Sequence, residues 1–457
     1  MRFEALDEAG RRRVHEAAIA ILEGTGLQID PASPVAARLR DLDFRIAGDG
    51  RLLLPRGRLE AAIAQAPRVI RLGGRDASRV LTLDGSRTFV TTDGCGSRTI
   101  DLETGRVRAS ILADVAASAR LTDALEAYHV YWNMVSAQDV PIASRVAREF
   151  LEATRNTTKH VQMIDVGRPE EARALVRMAE VLGETGASSG PPVSILISVV
   201  SPLRLDPLGM ESALAFAAAG LPVVCTSMPI ASVTAPATAA GSLLIAHAEA
   251  IGFAAVLQLL VPGCPVLYCA FPAFADARSG MTSYRDPRRS WACAAAVQMG
   301  RMTNLPVFVS AEIVSLMMEP DVVCSGGMLE TSTLLSFEQL VLDDETHRDW
   351  RMAAAAPPID EDSLAVDLIR QVGPGGHFLA QKHTGRRIRE FMVHRYIEPA
   401  RAAEADDAGT GCAPARESAR DLARRQARRL IGTHRAPPIP DRAATLLERI
   451  VEDPDRA

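Results

Sequence analysis

Lysine is nearly missing from this chain. Of its 51 basic residues only Lys159 and Lys382 are lysine, and the other 49 are arginine. With alanine abundant, the bias reads as a GC-rich coding sequence rather than a structural demand for guanidinium. Basic charge is not in excess either: 51 Lys+Arg stand against 56 Asp+Glu, a formal net charge of −5. That argues against a nucleic-acid binder, which needs a basic stripe to displace counterions. No long uninterrupted apolar run occurs. The most apolar stretch, Gly241–Val261, is broken by His247 and Glu249, so it reads as a buried helix and not a membrane span. The N-terminus, MRFEALDEAGRRRVHEA, has no apolar signal core. The seven cysteines (Cys95, Cys225, Cys264, Cys269, Cys293, Cys324 and Cys412) form no CxxC pair. Reduced thiols in a cytoplasmic protein are the simplest reading. Cys264, Cys269 and His247 lack zinc-site spacing, so no metal is expected. No GxGxxG, phosphate-loop or nucleophile-elbow motif is present.

What is there is ordinary globular composition, 47% hydrophobic and 23% charged over 457 residues. Residues 5–24 predict an amphipathic helix with Val14, Ala18, Ile21 and Leu22 on one face, ending at Gly24. Short β-like runs follow in 67–108, with a hairpin expected about Gly105. From about residue 129 short apolar runs alternate with helical segments. Eight strands are expected: His129–Ala137, His160–Asp165, Val193–Pro202, Pro222–Met228, Pro265–Phe271, Leu305–Ser310, Asp321–Ser325 and Phe337–Leu342. Apolar strands separated by helices mean parallel strands covered on both faces. The expected architecture is therefore a (β/α)8 barrel, with a doubly wound open sheet as runner-up. The division expected is an N-terminal extension at 1–125, a barrel at 126–400 and a C-terminal helical tail at 401–457. One unit is irregular. Only about ten residues separate Ser310 from Asp321, at or below the length of a crossover with its helix. The sixth crossover is thus expected to be a stub of at most two turns, with Val314, Leu316, Met317 and Met318 beside it.

In a parallel barrel the reactive groups sit at the C-terminal ends of strands. Those ends supply Gln138-Asp139, Asp165, Ser201, Ser227-Met228-Pro229, Phe271 with Asp276, Ser310 with Glu312, Gly326-Gly327 with Glu330, and Asp343-Asp344-Glu345. For any one of them a solvated strand end or helix cap is the blander alternative. Together they describe an acidic mouth. Aromatics make up only 4% of the chain, yet Tyr131, Trp132, Tyr268, Phe271 and Phe308 fall on predicted strands. Aromatic faces with carboxylates are a receptor for a quaternary or tertiary ammonium, although core filling accounts for at least half of them. The substrate-binding candidates are Trp132, Tyr268, Phe271, Phe308, Asp276 and His377. The catalytic candidates are Glu312, Glu330 and His377. His377 and His383 frame the glycine-rich segment GPGGHFLAQKHT, which reads either as a mobile loop over the mouth or as an ordered turn.

Several segments together resemble the trimethylamine methyltransferase superfamily. They are LDEAGRRRVHEAAIAILEGTGLQID, TIDLETGRVRASILADVAASARLTDAL, SPLRLDPLGMESALAFAAAGLPVVCTSMPIASVTAPATAAGSLLIAHAEAIG, SFEQLVLDDE and GPGGHFLAQKHT. The resemblance runs from about residue 5 to 450. It implies a (β/α)8 barrel that moves a methyl group from a methylamine or betaine to cob(I)alamin on a separate corrinoid protein. The chain itself would bind no cofactor. Without a pyrrolysine it is similar to the non-pyrrolysine, glycine-betaine type. A substrate carboxylate would then call for His377, Arg278 or Arg285. The pattern departs from the family at Ser310–Asp321, where the family carries an acidic turn and a full helix. A barrel that only binds a betaine-like ligand or a partner protein is the alternative reading. Homo-oligomerisation is possible on either.

Overall fold

The computed structural model describes residues 4–164, 166–284, 286–310, 317–355, 357–387 and 418–453. Eight parallel strands close into a barrel: β1 Phe89–Thr91, β2 Val130–Trp132, β3 His160–Met163, β4 Val193–Ser198, β5 Val223–Ser227, β6 Val266–Ala270, β7 Val307–Ser310 and β8 Val322–Cys324. Each pairs with the next, and β8 returns to β1 through Val322↔Phe89, Val323↔Val90 and Cys324↔Thr91. The strands are apolar throughout because both faces are buried. One set of side chains fills the ring and the other packs under the helices. Along β6, Leu267 and Cys269 point into the ring, while Val266, Tyr268 and Ala270 face the helical layer.

Seven of the eight expected strands are present, and the eighth is not. Residues 337–342 open the helix Phe337–Ala354 instead. The signal was in the sequence. Ser336 stands three residues before Gln339, whose backbone N–H it caps at 3.2 Å, and Phe337, Leu340 and Val341 are buried at helical spacing. Ring closure comes from Phe89–Thr91, a run read as part of the N-terminal extension, so the barrel begins inside residues 1–125. With that strand first, the short connection from Ser310 to Asp321 is the seventh crossover and not the sixth. The expected stub, with Val314 and Leu316, falls on 311–316 and lies outside the described residues. Beyond it, Met317 is exposed and Met318 is buried.

The helices Leu112–Ala124, Ile142–Asn156, Pro169–Glu184, Pro207–Ala218, Ala239–Leu260 and Pro287–Met302 alternate with the strands. Ala239–Leu260 is long and apolar enough to cross a membrane, but 83% of its most apolar window is buried. The N-terminal helices Glu8–Gly24 and Arg56–Ala64 cover its outer side, which is why it carries apolar residues all round. The hairpin about Gly105 forms as expected, pairing Arg98–Ile100 with Val107–Ala109. A second hairpin, Ile70–Leu72 with Leu81–Leu83, drives its four apolar side chains against the ring interior beneath Phe89 and Val130. It plugs the end from which the strands start. The helices Ala419–Thr433 and Asp441–Glu452 pack on the outer layer, where Arg424 donates to Glu338 at 2.8 Å.

Candidate functional site

The other end of the ring, where the strands finish, holds a cavity of 270 Å3. All eight strands reach it, from Asp93 just after β1 and Trp132 on β2, through Ile164, Leu196 and Thr226, to Phe271, Ser310 and Cys324. Its floor is aromatic. Trp132 meets Phe308 edge-on at 5.8 Å between ring centroids, and Phe308 meets Phe271 at 6.0 Å. The Trp132 indole N–H is buried with no hydrogen-bond partner among the described residues. Gly94 lies flat against that indole. A Cβ there would stand 2.6 Å from Cδ1 and Nε1 and 2.5 Å from the Asn133 carbonyl.

The polar wall comes from two loops. Asp93 accepts the Gly94 N–H at 2.8 Å and the Ser332 hydroxyl. Burial raises its pKa, against the pull of those bonds and of the nearby Arg289 charge. Ser332 is held in place by a costly turn. Glu330, Thr331 and Ser332, none of them glycine, take φ of 49°, 58° and 67°, and left-handed backbone costs about 1–2 kcal/mol per residue. Beside them, the Arg289 guanidinium is buried, donates to the Ser310 hydroxyl and lies 4.4 Å from the Tyr284 ring centroid, and the Tyr284 hydroxyl hydrogen-bonds Ser332. Burial pushes the Tyr284 phenol up to about 12, so it is a neutral donor at physiological pH. The mouth thus brings one carboxylate, one guanidinium and an aromatic floor into one small volume.

Of the predicted residues, Trp132 and Phe271 line this cavity and Phe308 backs them. Tyr268 does not reach it. Side chains alternate along a strand, and the Leu267–Cys269 parity that fills the ring turns Tyr268 outward. There its hydroxyl meets His247 Nδ1 at 3.0 Å, and His247 Nε2 meets His15 Nδ1 at 3.0 Å. Tyr131 is outward for the same reason, its hydroxyl 2.9 Å from Ser118. Asp276 is exposed and accepts the N–H groups of Arg278 and Ser279, so it shapes a turn beside the mouth. Glu330 is exposed and pairs with Arg98 at 2.7 Å. His377 is exposed and does not line the cavity. Glu312, Asp165 and Arg285 lie outside the described residues. Asp139 accepts the first N–H of helix Leu112–Ala124 at 2.9 Å. Ser201 and Ser227 both donate to buried Glu249 behind the ring. Asp343, Asp344 and Glu345 are on a helix and end no strand.

Sequence reasoning missed Asp93, Tyr284, Arg289 and Ser332. An Asp-Gly directly after a strand was a usable signal once Phe89–Thr91 is assigned to the barrel. Arg289 sits in a run of arginines at the start of a helix, where nothing separates it from its exposed neighbours. Among the described residues, no three His, Cys, Asp or Glu side chains come together so as to hold a metal ion.

A buried carboxylate just beyond β2 gives a pH test of this end of the barrel. Glu149 accepts from the Ala137 N–H at 2.6 Å and from Asn133 Nδ2 at 2.8 Å, yet burial outweighs both and raises its pKa to about 7. A raised carboxyl pKa contributes stability that is complete below the unfolded value, near 4.5, and is lost as pH rises through about 7. The loss is on the order of 3 kcal/mol. Glu149→Gln should remove it, so unfolding curves of the two proteins should diverge between about pH 4.5 and pH 7. Parallel curves would mean that the carboxyl titrates normally.

The sequence profile of the trimethylamine methyltransferase (MTTB) family matches residues 1–319 and 320–453. The two blocks meet inside the short seventh crossover. A glycine betaine methyltransferase of Desulfitobacterium hafniense (strain Y51) is 28% identical over 416 residues, covering 86% of each chain. A trimethylamine methyltransferase MttB of Desulfitobacterium hafniense (strain DSM 10664 / DCB-2) is 26% identical, covering 96% of this chain and 92% of that one. Among solved structures, the hydroxylamine complex of MtmB aligns with a TM-score of 0.52 at 12% identity, over 93% of this chain and 89% of the other. That likeness concerns the fold alone.

Proposed function

The chain belongs to the trimethylamine methyltransferase (MTTB) family, and on that premise we propose that its barrel mouth presents the N-methyl group of a quaternary amine to the cobalt of a corrinoid carried by a partner protein. The observation that carries this reading is the mouth itself: an aromatic floor of Trp132 and Phe271 beside the carboxylate of Asp93. Indole and phenyl faces attract a tetraalkylammonium without needing a hydrogen bond, which such a cation cannot donate. Arg289 and the Tyr284 hydroxyl, in the same polar wall as Asp93, suit the carboxylate of a betaine. The substrate class is thus a zwitterion, its ammonium on the aromatic floor and its carboxylate at the guanidinium.

The chemistry asks little of the protein. The carbon–nitrogen bond breaks with its electron pair going to nitrogen, and a tertiary amine leaves neutral without a proton. The methyl group passes to the low-valent cobalt, which supplies the pair for the new bond. The barrel holds the methyl group in line and excludes water, catalysis by positioning. No step requires Glu312, Glu330 or His377 as an acid. The corrinoid belongs to the partner and acts here as acceptor substrate, in the cytoplasm. The test is transfer. Incubated with cob(I)alamin and glycine betaine, the protein should convert the corrin spectrum to that of methylcobalamin while dimethylglycine accumulates. Saturable betaine binding with no spectral change would instead favour a barrel that only binds.

A further inference from the structure

A larger cavity than the mouth lies at the opposite end. It measures 610 Å3, within the range of metabolite pockets, and it opens where β1, β2 and β3 begin. Phe89, His129 and Lys159 stand at those three strand starts and line it. The hairpin ending at Leu83 forms one wall, and His434, from the C-terminal region, closes another.

Three nitrogen donors face this space with unused capacity. Lys159 is only 6% exposed, and its ammonium donates to the Thr122 and Leu125 carbonyls at 2.5 and 2.8 Å. Burial lowers its pKa to about 7; in the ammonium form it has three protons, so one remains for an anion, which would hold the group charged. His129 Nδ1 accepts the Val90 N–H at 3.1 Å, which fixes its proton on Nε2 as a donor. Arg87 stacks on Phe89 at 4.5 Å, and no hydrogen bond or ion pair of its guanidinium is found among the described residues.

The acids nearby do not fill these donors. Asp123 is already occupied by Arg79 at 3.0 Å, His434 at 2.7 Å, both Thr157 and Thr158 hydroxyls and the Thr158 N–H. Asp84 accepts the Ser86 N–H within its own turn, Asp344 accepts the Ala127 N–H and pairs with Arg348, and Glu126 is exposed. A buried ammonium with an unfilled proton is expensive unless something polar meets it.

We propose that this cavity is a second ligand site, for a small metabolite whose carboxylate or phosphate group is held by Lys159, His129 and Arg87. Phe89, Leu81 and Tyr128 provide an apolar wall for the rest of the molecule. The site is separate from the mouth, at the other end of the same strands, and does not depend on the reaction proposed there.

Titration calorimetry of the full chain at constant ionic strength tests this, with inorganic phosphate and malonate as probes. At least one probe should bind saturably, with Kd on the order of 1 mM for so small a fragment. A response to phosphate alone assigns a phosphate ester, and to malonate alone a carboxylate. Arg87→Ala changes an exposed side chain and should weaken binding about fivefold or more. Lys159→Met should abolish it, with circular dichroism showing whether that variant folds; if it does not, Arg87→Ala and His129→Gln decide. Glycine betaine binding at the mouth should be unchanged in Arg87→Ala. No saturable binding of either probe, full binding by both Arg87→Ala and His129→Gln, or loss of probe binding in Arg289→Met would overturn the proposal.

Discussion

Gly94→Ala should cut methyl transfer by about a hundredfold or more, the penalty for a misplacement of about 1 Å at a reacting centre. Gly94 has nowhere to put a methyl group. Its Cβ would stand 2.5 Å from the Asn133 carbonyl and 2.6 Å from two atoms of the Trp132 indole. The backbone beyond β2 is tied down, since the Asn133 N–H donates to Gln162 at 2.9 Å. The indole therefore moves, and it can move only into the 270 Å3 cavity it lines. The stability cost should be smaller, about 1–3 kcal/mol as for other overpacking changes. Kinetics with cob(I)alamin and glycine betaine, beside a thermal unfolding curve, separates the two effects. A stable variant with full activity would mean that the indole is not part of the site.

Gly326→Ala should be the most destabilising single change, costing more than about 4 kcal/mol, beyond the range of ordinary substitutions. Two penalties coincide there. Gly326 has φ of 129°, which side chains rarely adopt, and a Cβ would stand 2.0 Å from the Tyr128 hydroxyl and 2.8 Å from Cζ. Tyr128 is itself 1% exposed with nowhere to go. The control is Tyr128→Phe. That hydroxyl is buried without a partner among the described residues, so removing it should be neutral or stabilising. Chemical denaturation of both variants checks the pair. A mild effect of Gly326→Ala would show that the loop after β8 yields easily.

The barrel was legible because its strands are short, apolar and separated by helical segments, a pattern that parallel strands covered on both faces impose. The two errors have different causes. Phe89–Thr91 is three residues long and lies among other short β runs, so nothing local distinguishes it as the ring's first strand. Phe337–Leu342 is apolar enough for a strand, and only its cap and 3.6-residue spacing mark it as a helix. Trp132 and Phe271 line the mouth cavity, Phe308 backs them, and Tyr268 faces outward. All four are aromatic residues on or next to strands. Whether each points in or out depends on the parity of its strand, which a one-residue slip reverses. Asp93 and Arg289 meet only in three dimensions, from opposite ends of the barrel sequence.

The central claim is that an ammonium sits on the Trp132 floor at the mouth. Calorimetric titration of glycine betaine into wild type, Trp132→Ala and Tyr268→Phe tests it most directly. Removing the indole should weaken binding by about 3- to 30-fold, the worth of a desolvated cation–π contact. Tyr268→Phe, which alters only the buried pair with His247 outside the ring, should bind like wild type. Unchanged affinity in Trp132→Ala, or a loss confined to Tyr268→Phe, would contradict the account.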